Sequence, residues 1–381
     1  MANTLTNLIP DIYEALDVVS RELTGAISAV SMDNSLDRVA LNDTIRIPIT
    51  QAQSAANNTP GATPPDTGDQ TIDNATMTID NSKHVAIRWN GEQQKGYKLN
   101  GTYTSIFSQQ IAQGMRTIVN LMEVDIMSEY IRASRAYGTA GTTPFATDIS
   151  DAAQLKKILD DNGAPMGDRH IILGTTAGVN LRALTQLTSA NTAGSTDALR
   201  RGVLLDLFGF AIRESAGVQS HTAGTATGFD ANGGEPVGEV TIVVDGSDSG
   251  TILAGDVVSW VGDTNKYIVV SSTASGAAAG NIVINKPGLV QTLATTVEGS
   301  LGSAYTANMA WQRSAIQMAT RMPQTPADGD QATDAVQVTD PNTGLSFEVA
   351  YYPQYLQGSY HVRLAWGVKL IKPEHTAILL G

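Results

Sequence analysis

Five histidines, His84, His170, His221, His361 and His375, are the residues best suited to metal ligation or proton transfer. No two lie within five residues of each other, and none falls in an HExxH or similar ligand spacing. Each reads as a strand or surface residue. There is no GxSxG elbow, no GxxxxGK[ST] loop and no GxGxxG after a strand. The run Gly246 to Gly250 has the outline of an elbow, but its centre is Asp248 and it lies in a Gly/Ser turn. Asp245 and Asp248 offer oxygens suited to Ca²⁺, yet a calcium loop needs more carboxylates and a closing glutamate. Asp160, Asp161, Asp328 and Asp330 read as helix-end and loop acids. Lys83, Lys95 and Lys98 have the chemistry for isopeptide links, but solvated lysines are the simpler reading. Cysteine is absent, which excludes disulfides, thiolate metal sites and a Cys nucleophile. The expectation is a protein that is not an enzyme, with no catalytic, cofactor-binding or metal site and no cofactor.

The chain has 381 residues, enough for two or three domains. Hydrophobic residues make up 42% and charged residues only 16%, and Gly, Ala, Ser, Thr and Asn are heavily used, which suits β structure and turns. The net charge is −13 and no cluster of five basic residues occurs. Specific nucleic-acid recognition is thereby disfavoured, whereas contact through a few local arginines is not. The N-terminus has no basic stretch before its apolar residues, so no signal peptide is expected. No apolar run approaches the length of a membrane span, and no membrane partner is expected.

The longest positioning element is a helix expected over Thr104–Tyr137. Phe107, Ile111, Met115, Ile118, Met122, Ile126 and Tyr130 recur at three and four residues, with no proline. At 1.5 Å per residue such a rod is about 50 Å long. Its apolar stripe drifts, and Asp125 and Glu129 intrude, so its halves should meet different neighbours. Before it, residues 5–30 read as an amphipathic helix and Thr44–Thr50 as a strand. Residues 51–70 are polar with three prolines and two glycines, and residues 71–91 alternate again. Two strands around a tip of some twenty residues make an extended hairpin, a form often used to engage a partner. After the long helix, a helix over Asp151–Asp161 capped by Ser150 is expected. A strand at Arg169–Leu173, helices at Thr176–Thr188 and Thr196–Leu207, and a strand at Gly209–Ser215 follow. Short alternating runs at 239–244, 257–261, 266–270 and 281–285 suggest a small barrel or sandwich. Ala304–Met322 reads as a helix, and 337–349, 351–355 and 361–371 as strands.

This order resembles the major capsid proteins of tailed bacteriophages, which have the Hong Kong 97 (Johnson) fold. The likeness is greatest to Lederbergvirus-type coat proteins, whose axial domain carries an inserted β-barrel. The stretches that carry it are Leu8–Val30 followed by Thr44–Ile49, then Gly202–Ser215, Tyr305–Pro323, and Tyr360–Lys369 with Lys372–Glu374. The resemblance implies an α+β chain in seven parts. Residues 1–45 would be an N-terminal arm, 46–95 an E-loop hairpin and 96–140 a P-domain with its spine helix. Residues 141–221 would begin an A-domain, 222–300 form the inserted β-barrel, and 301–345 resume the A-domain. Strands in 346–381 would complete the P-domain. Phe107, Ile111, Met115 and Met122 would pack a sheet holding Tyr352, Tyr355, Leu364 and Trp366. The turn at Ala231–Pro236 departs from relatives, where a longer charged loop meets its mate across a two-fold axis.

The function so implied is a virion coat subunit that forms hexamers and pentamers with itself and assembles in the bacterial host cytoplasm. A scaffolding protein and portal would act during assembly. Packaged double-stranded DNA would touch the inner face without sequence specificity, and a decoration protein is an optional further partner. Two other readings compete: an encapsulin-like shell protein, which the inserted β domain disfavours, and a β-rich binding or adhesion module.

Overall fold

A computed structural model describes residues 24–50, 55–61, 63, 69, 72–99, 103–188, 206–245, 250–274, 279–339 and 344–381. In chain order, the first part holds strands β1 (Ser31–Val39), β2 (Thr44–Ile49), β3 (Asp73–Thr78) and β4 (Asn81–Asn90), then helices α1 (Gly91–Leu99) and α2 (Tyr103–Ser128). Next come β5 (Arg135–Tyr137), α3 (Ser150–Asp161), β6 (Arg169–Leu173), α4 (Thr175–Ala183) and α5 (Thr185–Thr188). They lead to β7 (Phe210–Glu214), β8 (Ser220–His221), β9 (Phe229–Asp230), β10 (Thr241–Val244) and β11 (Val257–Trp260). The rest is strand: β12 (Lys266–Ser272), β13 (Gly280–Ile284), β14 (Glu298–Leu301), β15 (Tyr305–Gln312), β16 (Ile316–Pro323), β17 (Asp334–Thr339), β18 (Ser346–Gln354), β19 (Gln357–Leu370) and β20 (Thr376–Leu380).

Helix α2 buries Met115, Ile118, Val119, Met122, Ile126 and Met127, at the three- and four-residue steps that mark one helical face. It ends at Ser128, nine residues short of the sequence expectation. Glu129–Arg132 tighten into a 3₁₀ turn, where the Glu129 carboxylate accepts hydrogen bonds from Leu370 N and Arg132. Beyond it, strand pairing outweighs helical propensity. Residues 135–137 lie between β20 and β12, and Arg135 is buried in the sheet rather than placed at a helix end. Gly138 does have positive φ, but it closes this strand.

Strand β19 organises a six-stranded sheet. Residues 357–363 pair with both β4 and β18, and residues 365 and 366 pair with both β4 and β16. Strands β18 and β16 therefore share one edge of β19, end to end, while β4 takes the other. Strand β1 adds in parallel to β16, and β17 to β18. Because side chains alternate, Val362, Leu364 and Trp366 join the core under α2, while Ala365 faces the opposite way. On that second face sits the base of the β2–β3 ribbon, with Met77 and Ile79 packed on Ala319 and Ala365. A Cβ on Gly367 would collide with the Thr78 carbonyl, so this contact requires bare backbone.

The second sheet runs β7-β6-β15-β20-β5-β12 and continues into the β9–β14 strands. Helices α3 and α4 cover its first part, with Leu155, Leu159, Leu181 and Phe210 in one core. From β12 the pairing runs to β13 and β10 on one side, and to β11, β14 and β9 on the other. A bridge between Ala231 and Val244 joins the two ends, so the six strands close into a ring. Phe229, Trp260, Tyr267 and Ile242 fill it.

Several sequence expectations are corrected here. Ala304–Met322 is not a helix but the strands β15 and β16. Both are buried on two faces, so their near-continuous apolar residues mimic a helix pattern. The run 71–91 divides at Ile79 and Asp80, and its second half, β4, belongs to the large sheet rather than the hairpin. The expected strand over 337–349 is two strands, β17 and β18. Tyr352 lies on the face away from α2, and Tyr355 is 90% exposed in the β18–β19 turn. Ser150 is the first helical residue of α3, and Asp148 accepts its N–H. In the expected helix over 5–30, residues 5–23 lie outside the described residues. The described end holds one 3₁₀ turn, Ile27–Ala29. The helix expected at 196–207 also lies outside the described residues, save for Asp206 and Leu207. Gly367→Ala should destabilise the protein by about 1–3 kcal/mol through overpacking. Gly91→Ala, where nothing lies within 4 Å of the added atom, should change stability by less than about 1 kcal/mol. Urea unfolding of the two variants tests the ribbon contact, and equal midpoints would refute it.

Candidate functional site

The residues singled out in the sequence do not converge. His170 sits 3.0 Å from Asp168, and His375 lies buried in the turn before β20. Burial pushes both imidazoles below their ordinary value. Asp160 accepts from Arg169, and Asp161 pairs with Lys157. Residues 246–249, with Asp248, lie outside the described residues. Among the described residues no group of three or more His, Asp or Glu side chains is placed to hold a metal ion. Among them also, no helix is long and apolar enough to cross a membrane.

Three polar sites stand out, and the sequence reading missed the first two. The first is Glu123 of α2, which is 2% exposed. Its carboxylate accepts from Ala26 N at 3.0 Å, Ile27 N at 2.9 Å and the Ser215 hydroxyl at 2.5 Å. Burial raises its pKa above the ordinary value, and these hydrogen bonds only partly offset that. Gly217 packs on the same turn, where a Cβ would stand 2.9 Å from the Glu123 carbonyl carbon and oxygen.

The second site is the joint of the strand ring. The chain leaves the second sheet at His221 and returns at Tyr305, and these residues are paired neighbours on β8 and β15. His221 Nε2 is 2.8 Å from Asp256 Oδ1, and its Nδ1 is 2.9 Å from the Tyr130 hydroxyl. In the Nε2–H tautomer the ring donates to Asp256 and accepts from Tyr130. Asp256 is fully buried and also accepts from Gly224 N and Leu253 N. The Tyr305 hydroxyl donates to Gly255 O. An Asp-His-Tyr chain invites a catalytic reading; here His221 and Asp256 are buried and Tyr130 is half-buried. It fastens the turn after α2, the ring and the second sheet together.

The third site is the polar face of the large sheet, away from α2. Arg363 and His84 are cross-strand partners, and the rings of His84 and His361 lie 5.1 Å apart. Arg363 donates to Glu348 and Asp330, and Arg38 also donates to Glu348. The Tyr352 hydroxyl donates to Asp330. Burial pushes the Glu348 carboxyl up, but its bonds from Arg38 and Arg363 outweigh this and hold it below the usual range. The Tyr352 bond, with Arg363 beside it, holds Asp330 low as well. Beside this face rises the β2–β3 ribbon. Residues 55–61, between its strands, are all exposed and in no regular structure.

No family model matches the chain, and no curated protein does. Solved structures do. The chain has the mixed α/β fold found in the shells of phages. One match is a structure of Mycobacterium phage Che8, at 13% identity and TM-score 0.51, covering 99% of this chain and 98% of that one. Another is the capsid structure of the cyanophage P-SCSP1u, at 12% identity and TM-score 0.51, covering 100% of this chain and 92% of that one. What is shared is the fold, from end to end.

Glu123 links stability to pH with a definite sign. A carboxyl with a raised pKa in the folded state holds its proton more tightly there than in the unfolded chain. Its contribution is fully present below the unfolded value of about 4.5 and is lost as pH rises through the higher folded value. Glu123→Gln should therefore flatten the fall in melting temperature just above pH 4.5 relative to wild type. Parallel melting curves for the two proteins across that window would exclude the assignment.

Proposed function

We propose that this chain is the major capsid protein of a tailed bacteriophage, a coat subunit whose work is geometric. The observation that carries the reading is the fold likeness to a phage capsid chain over 100% of this chain and 92% of that one. On this reading the chain is divided as the family is. Residues 1–45 form the N-terminal arm, 46–95 the E-loop, and 96–140 with 346–381 the P-domain around α2. Residues 141–221 and 301–345 form the A-domain, and the strand ring is the inserted β-barrel at 222–300. Copies tile hexamers and pentamers into an icosahedral shell around double-stranded DNA, with a scaffolding protein and portal present during assembly. The shell assembles in the bacterial cytoplasm, and the subunit carries out no catalysis.

The surface supports this. Strand β2 alternates exposed and half-buried residues; Ile45 and Ile47 pack on the chain's own core, which leaves the exposed face of the ribbon for a neighbour. Tyr355 and Leu356, 90% and 74% exposed, form an apolar tip on the β18–β19 turn. A net charge of −13 keeps the subunit soluble and weakens adhesion to DNA that must later leave. The arm and E-loop gain area from neighbours with little mass, and their ordering cost falls at assembly.

Electron microscopy of the protein co-expressed with a candidate scaffold should show closed, uniform shells. Deleting residues 51–70 should leave a folded monomer, with the wild-type circular dichroism melt, that forms no stable shells. Normal shells from the deletion would remove the E-loop assignment. Wild-type protein that stays monomeric at high concentration with the scaffold present would overturn the coat reading.

A further inference from the structure

One histidine on the polar face of the large sheet stands in a row of small side chains. His361 of β19 pairs with Ala86 of β4 on one side and Ala350 of β18 on the other. The rows on either side are taller. Arg363 lies between His84 and Glu348, and Ser359 between Arg88 and Tyr352. Cross-strand partners share a face, so His361 has methyl neighbours along its own row and polar chains around it. With His84, Arg363, Tyr352, Ser82 and Lys83 it lines a groove of about 470 Å³.

The groove is cationic in a chain of net charge −13. Glu348 from β18 and Asp330 from the segment before β17 are already held by Arg38 of β1, Arg363 and the Tyr352 hydroxyl. Arg38, Arg88 and Arg363 against these two carboxylates leave one positive charge. Lys83 at the rim, whose charge also reaches Asp125 of α2, makes it two. Protonation of both imidazoles makes it four. The rings of His84 and His361 lie 5.1 Å apart, and Ser359 Oγ is 2.9 Å from His361 Nε2. Among the described residues His84 and Arg88 make no ion pair, and both are exposed. The planar guanidinium of Arg88 presents N–H donors in the fork that oxyanions accept.

We propose that this groove is a binding site for a compact divalent oxyanion of the sulfate or phosphate type, held by His84, His361 and Arg88 with Lys83 at the rim. The anion answers the positive charge that the two carboxylates leave over, and it ties β4 to β19. The site belongs to the single chain and stands whatever that chain assembles into. It responds to pH. Burial, then His84, Arg363 and Arg88, holds His361 below its ordinary value, and Asp330 only partly offsets them. A bound anion favours the protonated rings, so affinity rises as pH falls through the imidazole range. Competing salt weakens it.

The test follows the ring protons of the five histidines by NMR in the full-length chain, expressed without a scaffold. The pH is taken from about 5 to 8, in sodium chloride or in sodium sulfate at equal ionic strength. Sulfate stays a dianion throughout, so only the protein titrates. Two of the five signals, assigned by His84→Gln and His361→Gln, should have their midpoints raised by about 1 pH unit in sulfate. The effect should saturate, and the other three signals should stay where they are. Arg88→Gln should keep the wild-type melt, because the side chain is exposed, and should lose most of the shift. Midpoints that are equal in the two salts overturn the site. So does a shift that grows in proportion to sulfate without saturating, or one shared by all five histidines, since either reports only the ion atmosphere. An unchanged shift in a folded Arg88→Gln variant overturns it as well. The comparison of salts uses the wild-type chain, so it decides even if a variant misfolds. Inorganic phosphate and a nucleoside monophosphate, tried in place of sulfate, separate the sources. Midpoints raised by both assign phosphate esters as well as the free ion, midpoints raised by phosphate alone assign the free ion, and either result supports the site. Shell formation plays no part in this readout, so the site and the coat reading fail separately.

Discussion

One carboxylate fixes how the parts of this chain meet. Glu123 lies in the buried face of α2, where a charge is costly unless it is satisfied on several sides. The backbone of Ala26 and Ile27 satisfies it from the N-terminal segment, and Ser215 does so from the segment after β7. Hydrogen bonds to a charged group are worth about 1.5–3 kcal/mol each, so moving any of the three segments would strand the others. Glycines allow the approach. A Cβ on Gly25 would run into the Glu214 carbonyl, and one on Gly217 into the turn that carries Glu123. The direction in which the chain leaves residue 26 is thus set by a residue 97 positions away.

That separation explains what the sequence could not say. Periodicity is local, and where local pattern and burial agree it was legible. The strand at Arg169–Leu173 falls where expected, and α3 differs from expectation by one residue. The two strands around the polar tip pair as a ribbon. Legibility failed where tertiary burial overrode local pattern. Tyr305–Pro323 looks helical because both faces of β15 and β16 are covered, which erases the period of two. Arg132 and Arg135 suit a helix end by type, yet Arg135 is held in the sheet by Asn162 and Asn265. The Tyr130–His221–Asp256 chain and the Glu123 cluster have no sequence signature, because their members lie 35 to 97 residues apart. The approach of the His84 and His361 rings likewise needed the β4–β19 register.

Strand β19 shows how much one strand can hold. Its even residues from Tyr360 to Trp366 meet α2, where Tyr360 stacks edge-on with Phe107 and Trp366 donates to Asp125. Its odd residues from His361 to Ala365 turn from charge to apolar contact within five positions, and so divide the second face between the Arg363 ion-pair cluster and the ribbon base. A shift of one residue in its register would bury Arg363 under the helix and expose Trp366. The long antiparallel pairing with β4 on one edge and β18 on the other holds that register.

The strand ring has mechanical consequences that its topology alone makes plain. It is anchored to the second sheet by the β8–β15 pair, by the β5–β12 pair, and by the buried histidine at the joint. Two ladders and a pin, set at different points, resist torque as well as tension. A single two-stranded neck would resist only the latter and would swing. A ring braced in this way acts as a bracket, and the Tyr130–His221 bond ties its joint to the 3₁₀ turn that follows α2.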